Sequence, residues 1–170
     1  DPVMLSCLKD DIDLHDVTAN QCHVSRDASK TINFGLIYGM GASGLQMKLL
    51  EENIKATKTE TQQYIDDYFS LYKGVKKFQF GIVQLHKKYG FGQYLTGKKR
   101  IIPHLDSPDK RLRYHAERQL YNTVIQGSCA DMIKVAMVRL ANEDKLKKLD
   151  YHMLLQIHDE ILGESPYSEE

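Results

Sequence analysis

Four side chains repeat at intervals of four in the stretch RDASKTINFGLIYGMG: Arg26, Lys30, Phe34 and Tyr38. At ~100° per residue, successive members drift by ~40°, so the four share one stripe of a helix. Two cations stand toward the helix N-terminus and two aromatics toward its C-terminus, the order of parts in a nucleoside triphosphate. The first turn adds free N–H groups and the positive end of the dipole. Arg26 can grip two phosphate oxygens, Lys30 offers a point charge, and Phe34 can lie along a sugar and base. By spacing alone, the stripe also reads as a partly buried amphipathic helix with snorkelling Arg and Lys. On the opposite side, Ile32, Leu36 and Met40 can face a core.

A second group is His158, Asp159 and Glu160, between the apolar runs of LLQIHDEILGE. Carboxylates on a tight turn can share Mg²⁺, whose hard character suits Asp oxygens and phosphates together. The same three letters also make an ordinary solvated turn.

Charge is unevenly spread beneath a formal net charge of zero. Between Lys73 and Arg118 there are twelve Lys and Arg against three acids. From Leu149 onward Lys and Arg are absent, while Asp150, Asp159, Glu160, Glu164, Glu169 and Glu170 accumulate. A basic middle suits a polyanion and an acidic end a divalent cation, although either also serves as a solvated surface. Cys7, Cys22 and Cys129 have no zinc spacing, which predicts reduced, buried thiols. No apolar run is long enough to span a membrane, and the first residues lack the order of a signal peptide. Both ends are expected to be cut.

The positioning elements are mostly helices, consistent with a chain of ordinary domain size. Helices are predicted over residues 13–25, 25–38 and 45–52. A Thr57–Glu60 capping box opens a helix reaching Tyr72, with Gly74 just past its last turn. A further helix covers residues 75–89 and stops at Gly90. Residues 91–103 change period and predict a hairpin with a basic return strand. A long helix over residues 110–142, interrupted or bent near Gly127, precedes a strand at 151–157 and a second short strand from Ile161. No repeat or linker divides the chain, so one continuous unit is expected.

Taken together, these segments resemble family A DNA polymerases. Arg26, Lys30, Phe34, Tyr38 and Gly39 match the family's fingers-helix pattern in full, and His158-Asp159-Glu160 matches its palm hairpin. The resemblance implies an α+β, mainly helical fold: the fingers (residues 13–90) and part of the palm (91–170) of a right-hand polymerase. It implies DNA-templated addition of deoxynucleotides to a primer 3′ end by two-metal phosphoryl transfer. Arg26, Lys30, Phe34, Tyr38 and His15, in DLHDVTAN, would then bind the deoxynucleoside triphosphate. Asp159 would be a catalytic Mg²⁺ ligand assisted by Glu160, with Lys30 serving the departing pyrophosphate.

Primer–template DNA would be the second partner. Lys98, Lys99 and Arg100 in TGKKRIIP resemble the family's basic backbone-contacting hairpin. Arg118, Asn122 and Gln126 in AERQLYNTVIQGSCADMIK match palm-helix positions that touch primer and template, and His158 would stand near the primer end. Asp27 departs from the family, which commonly has a basic residue there, and Ser43 stands where an aromatic is frequent. The family's first catalytic Asp lies on a strand upstream of the segment matching DPVMLSCLKDD, so residues 1–170 alone are expected to be nearly inactive. Single-subunit RNA polymerases share this plan, but Glu160 and Phe34 speak against them. A non-catalytic DNA-binding remnant would keep only the basic middle.

Overall fold

The computed structural model describes residues 1–166; Glu169 and Glu170, counted above in the acidic end, lie outside them. The fold is mainly helical with two small antiparallel hairpins, as the sequence predicts. The chain divides into two compact units, one of residues 1–92 and 100–122, the other of residues 93–99 and 123–170.

The first unit begins with α1 (Pro2–Lys9), which the periodicity missed, and α2 (Leu14–Cys22). Asp1 caps α1, and Asp13 caps α2 by accepting from the His15 N–H at 2.7 Å. The second helix stops at Cys22, not residue 25, because His23 turns left-handed (φ 54°) and Ser25 becomes the N-cap of α3 (Arg26–Ile37). Next come α4 (Ala42–Glu51) and α5 (Lys58–Leu71), the latter opened by the expected Thr57–Glu60 capping box. Gly74 is not a helix stop: it lies in the first turn of α6 (Lys73–Tyr89). A Cβ there would come within 2.7 Å of the Asp1 backbone, and its N–H donates to Asp1 Oδ2 at 2.6 Å.

The core of this unit gathers Ala28, Ile32 and Leu36 of α3 with Cys22, Leu45, Leu49, Tyr68, Tyr72 and Val75. Ile32 and Leu36 are fully buried, as their side of the stripe required. Burying each such side chain stabilises by roughly 1.5–3 kcal/mol before entropy is counted. The last turn of α3 is closed from α6: the buried Gln79 amide donates to the Leu36 and Ile37 carbonyls at 2.7 and 3.0 Å. Helix-end carbonyls that would be orphaned in an apolar setting are thereby satisfied.

The predicted basic hairpin shrinks to β1 (Gly92–Gln93) and β2 (Lys99–Arg100), turned by Gly97 at φ 86°. Its return strand stops early for a visible reason. Ile102 is buried, and its N–H donates to His86 Nε2 at 3.3 Å instead of joining a ladder.

Helix α7 (Lys110–Asn142) runs through Gly127 without the predicted interruption. In the second unit, Gly127 serves a close approach, since a Cβ would fall 2.5 Å from the Tyr94 ring. Ser128 Oγ accepts from the Leu95 N–H at 3.0 Å, and Thr96 donates to the buried carboxylate of Asp131 at 2.6 Å. One face of α7 thus holds the 94–96 turn. Cys7 and Cys22 are buried as expected, whereas Cys129 is exposed, so burial does not explain all three thiols.

A short helix, α8 (Asp144–Lys148), also missed from sequence, leads to β3 (His152–Ile157) and β4 (Glu160–Glu164). Their register pairs Ile157 with Glu160 across a two-residue turn, His158–Asp159. His158 takes φ 52°, the positive angle that primed hairpin turns need. The pairing shifts between Met153 and Leu155, leaving Leu154 as the extra residue of a bulge.

Candidate nucleotide-binding site and acidic hairpin

In the first unit, α3, α4 and α7 enclose an open pocket of about 620 Å³. Lys30, Phe34 and Tyr38 line it from α3, and Arg118 and Asn122 from α7. Two motifs separated by some eighty residues in sequence therefore meet at one cavity, whose size suits a small-molecule ligand. Phe34 is 60% exposed, which leaves its ring open to stacking.

The approach of α3 to α7 is set by Gly39. Its φ of 76° ends the α3 segment, and the Tyr121 ring occupies the space a side chain would need. Burial pushes the Tyr121 phenol up to about 12, so it stays neutral.

His15 stands beside the aromatic member of the stripe, its ring centroid 5.9 Å from that of Phe34. Several buried contacts hold it there. Asn33 Nδ2 lies 3.0 Å from His15 Nδ1, the Asn33 carbonyl oxygen accepts from Thr18, and Thr18 meets the Tyr72 hydroxyl at 3.0 Å. The Ser29 hydroxyl is 2.7 Å from the His15 carbonyl. Buried polar networks of this kind fix geometry when their members are satisfied.

Arg26 is not among the residues lining the pocket. Its guanidinium is held by Asp13, and its Nε also lies 3.2 Å from Asp16 Oδ1. Arg26 holds the Asp13 carboxyl below its ordinary value, chiefly through their hydrogen bond, with the His15 N–H bond adding to it. Lys30 carries its own acid, Asp27, at 3.1 Å. Asp27 lies within a turn of Lys30 along the chain, whereas Asp13 reaches Arg26 only through the packing of α2 on α3.

Sequence reasoning missed other lining residues: Thr31, Lys48, Glu52, His115 and Gln119. Thr31 donates to Glu52 at 2.5 Å, and the Gln119 amide lies 3.0 Å from His115 Nε2. His115, Arg118, Gln119 and Asn122 follow one helical face, a spacing that could have found the first and third.

The second unit carries the remaining candidates. Lys98 is exposed, 5.5 Å from the Tyr94 ring centroid and 3.9 Å from Asp131. Lys99 and Arg100 form the exposed β2, which straddles the boundary between the units. Gln126 is exposed on α7. His158, Asp159 and Glu160 are exposed at the β3–β4 tip, where the Gln156 amide donates to the His158 carbonyl. Among the described residues, neither Asp159 nor Glu160 pairs with a cation, and no three His, Cys, Asp or Glu side chains cluster as a metal cage. The tip can contribute hard oxygen ligands to an ion but cannot enclose one.

Comparison with known proteins identifies the family of this mainly helical chain. The sequence model described as DNA polymerase family A matches residues 1–170. DNA polymerase I of Bacillus subtilis is 36% identical over 99% of this chain, and that of Geobacillus stearothermophilus 38% over 91%. The solved POL domain of Pol1 from M. smegmatis, in complex with DNA primer-template and dNTP, is 34% identical with a TM-score of 0.78, covering 93% of this chain and 29% of its own. The chain belongs to DNA polymerase family A. It spans about a fifth of those two relatives, 20% and 17% of their lengths.

Proposed function

We propose that the protein containing this chain is a DNA-directed DNA polymerase that adds deoxynucleotides to a primer 3′ end. The observation carrying this reading is the pocket that joins Lys30, Phe34 and Tyr38 to Arg118 and Asn122, in a chain of this family. Residues 13–90 serve as the fingers and residues 91–170 as the palm portion. Lys30 neutralises charge on the triphosphate tail, Phe34 packs along the sugar and base, and Tyr38 borders the templating position. His15, steadied by Asn33, adds a contact to the phosphates, and Arg26 joins once an anion displaces its carboxylates. Catalysis rests on positioning and charge neutralisation.

Arg118, Asn122 and Gln126 hold primer and template, the basic hairpin of Lys98, Lys99 and Arg100 tracks the backbone, and His158 stands near the primer end. Asp159 is the residue that would hold Mg²⁺, with Glu160 beside it. Such an ion supplies positive charge to phosphate oxygens and acidifies a primer hydroxyl when bound. Among the described residues these hairpin carboxylates are exposed and unpaired with a cation, which suits that role, and further ligands would come from substrate phosphates and other carboxylates.

The test is primer extension by the intact protein with Mg²⁺, comparing wild type with Lys30→Ala. The expected result is a large loss of nucleotide use, in KM and kcat, while DNA affinity stays within about twofold, because the lost charge is aimed at phosphate. Unchanged KM and kcat would remove Lys30 from the site, and a preference for ribonucleotides would replace this reading with RNA synthesis.

A further inference from the structure

Helix α6 carries a surface that the proposed chemistry does not use. Its seventeen residues, KGVKKFQFGIVQLHKKY, contain five lysines and no acid. At ~100° per residue, Lys73, Lys76, Lys77, Phe80, Lys87 and Lys88 fall within about 120° of one another. The buried residues Val75, Gln79, Ile82, Val83 and His86 take the opposite side, where Gln79 ties the helix to the end of α3. All six of the first group are exposed.

Two features of this face suit a polyanion with flat bases. Among the described residues, no carboxylate forms an ion pair with any of the five lysines; Lys76 and Lys88 instead stand 5.8 and 5.1 Å from the Phe69 and Tyr89 ring centroids. Phe80, 67% exposed, stands amid the charges with Lys76 and Lys77 one turn before it and Lys87 two turns after. A row of cations without carboxylate partners among the described residues, around an exposed aromatic ring, fits a flexible polyanion with flat, apolar bases: charge for the backbone, a stacking surface for one base.

We propose that this face of α6 binds single-stranded DNA, with Phe80 stacking on an unpaired base and the surrounding lysines contacting phosphates. The surface is separate from the nucleotide pocket, whose lining includes no residue of α6. The choice of DNA over another polyanion rests on the family assignment; the binding itself does not depend on catalysis.

The experiment uses the intact protein and two fluorescein-labelled probes read by anisotropy, an oligo(dT) of about 20 nucleotides and a blunt duplex of similar length. Phe80→Ala is expected to weaken oligo(dT) binding about five- to tenfold, and Phe80→Trp to restore it, because stacking needs a ring. Duplex affinity should change less than about twofold. Lys77→Gln should lower the slope of log K against log salt by about 0.7 on the single strand. Equal losses on strand and duplex would overturn the inference, as would no change on either, the result if other parts of the intact protein cover Phe80. So would a loss confined to vesicles containing phosphatidylserine, which would mark a membrane surface. Failure to extend primers with the Phe80 effect intact would sink the polymerase reading and spare this one; the reverse outcome would do the opposite.

Discussion

The ring of Tyr121 lies 2.8 Å from where a Cβ on Gly39 would stand, so the end of α3 can approach α7 only because residue 39 has no side chain. That contact sets Tyr38 and Arg118 on one pocket. Gly39→Ala meets two costs: a left-handed backbone for an L-residue, ~1–2 kcal/mol, and overpacking against the ring, ~1–3 kcal/mol. Urea denaturation should show a loss of roughly 2–5 kcal/mol. Adding Tyr121→Ala should relieve only the packing part, so the pair should be markedly non-additive.

Asp13→Asn separates two jobs of one residue. Asn still caps α2 but gives up the ion pair with Arg26. With Arg26 freed, the intact protein should show a nucleotide KM lowered about two- to threefold, the scale of an exposed pair, with kcat little changed. A raised KM would mean that the Asp13 carboxylate positions Arg26 for the ligand and does not compete with it.

His86 gives the fold a pH dependence. Burial holds its imidazole below the ordinary value of 6.5, with the charge of Asp106 opposing. Neutral His86 accepts from the Ile102 N–H, so the unfolded chain takes up a proton more readily than the folded one. Its contribution is complete above 6.5 and is lost as pH falls through the lower folded value. His86→Gln, which keeps an acceptor without titrating, should start less stable but lose less between about pH 7 and about pH 5 in urea titrations.

Thr57→Ala removes the capping box of α5, whose Thr hydroxyl accepts from the Glu60 N–H at 3.2 Å. The expected loss is about 1 kcal/mol, while Thr57→Ser should stay close to wild type. Thermal unfolding followed by circular dichroism measures both.

Local chemistry in the sequence foretold local structure in the molecule. The Thr57–Glu60 box, the Gly90 stop and the four-residue stripe of α3 depend on neighbours within a turn or two, and each is where the spacing puts it. What stayed hidden depends on partners far along the chain. Gly74 reads as a stop until Asp1 is seen against it, and Gly127 reads as a break until Tyr94 is seen filling its space. Ile101 and Ile102 read as strand until His86 claims an N–H. The pocket shows the same division: Lys30, Phe34 and Tyr38 were legible from periodicity, whereas Glu52 enters through Thr31. Asp13 meets Arg26 only in the folded chain.

The acids beside Arg26 and Lys30 change what it means for an anion to arrive. Neither cation waits bare in solvent: Asp13 and Asp16 hold one, and Asp27 holds the other. Under the proposed function, capture of a polyphosphate would be a swap of counter-ions, and its release would return each cation to a carboxylate already within reach. Such an exchange would keep the positive end of the helix from clinging to whatever small anion drifts by, and would give a spent product a built-in rival at the moment it must leave.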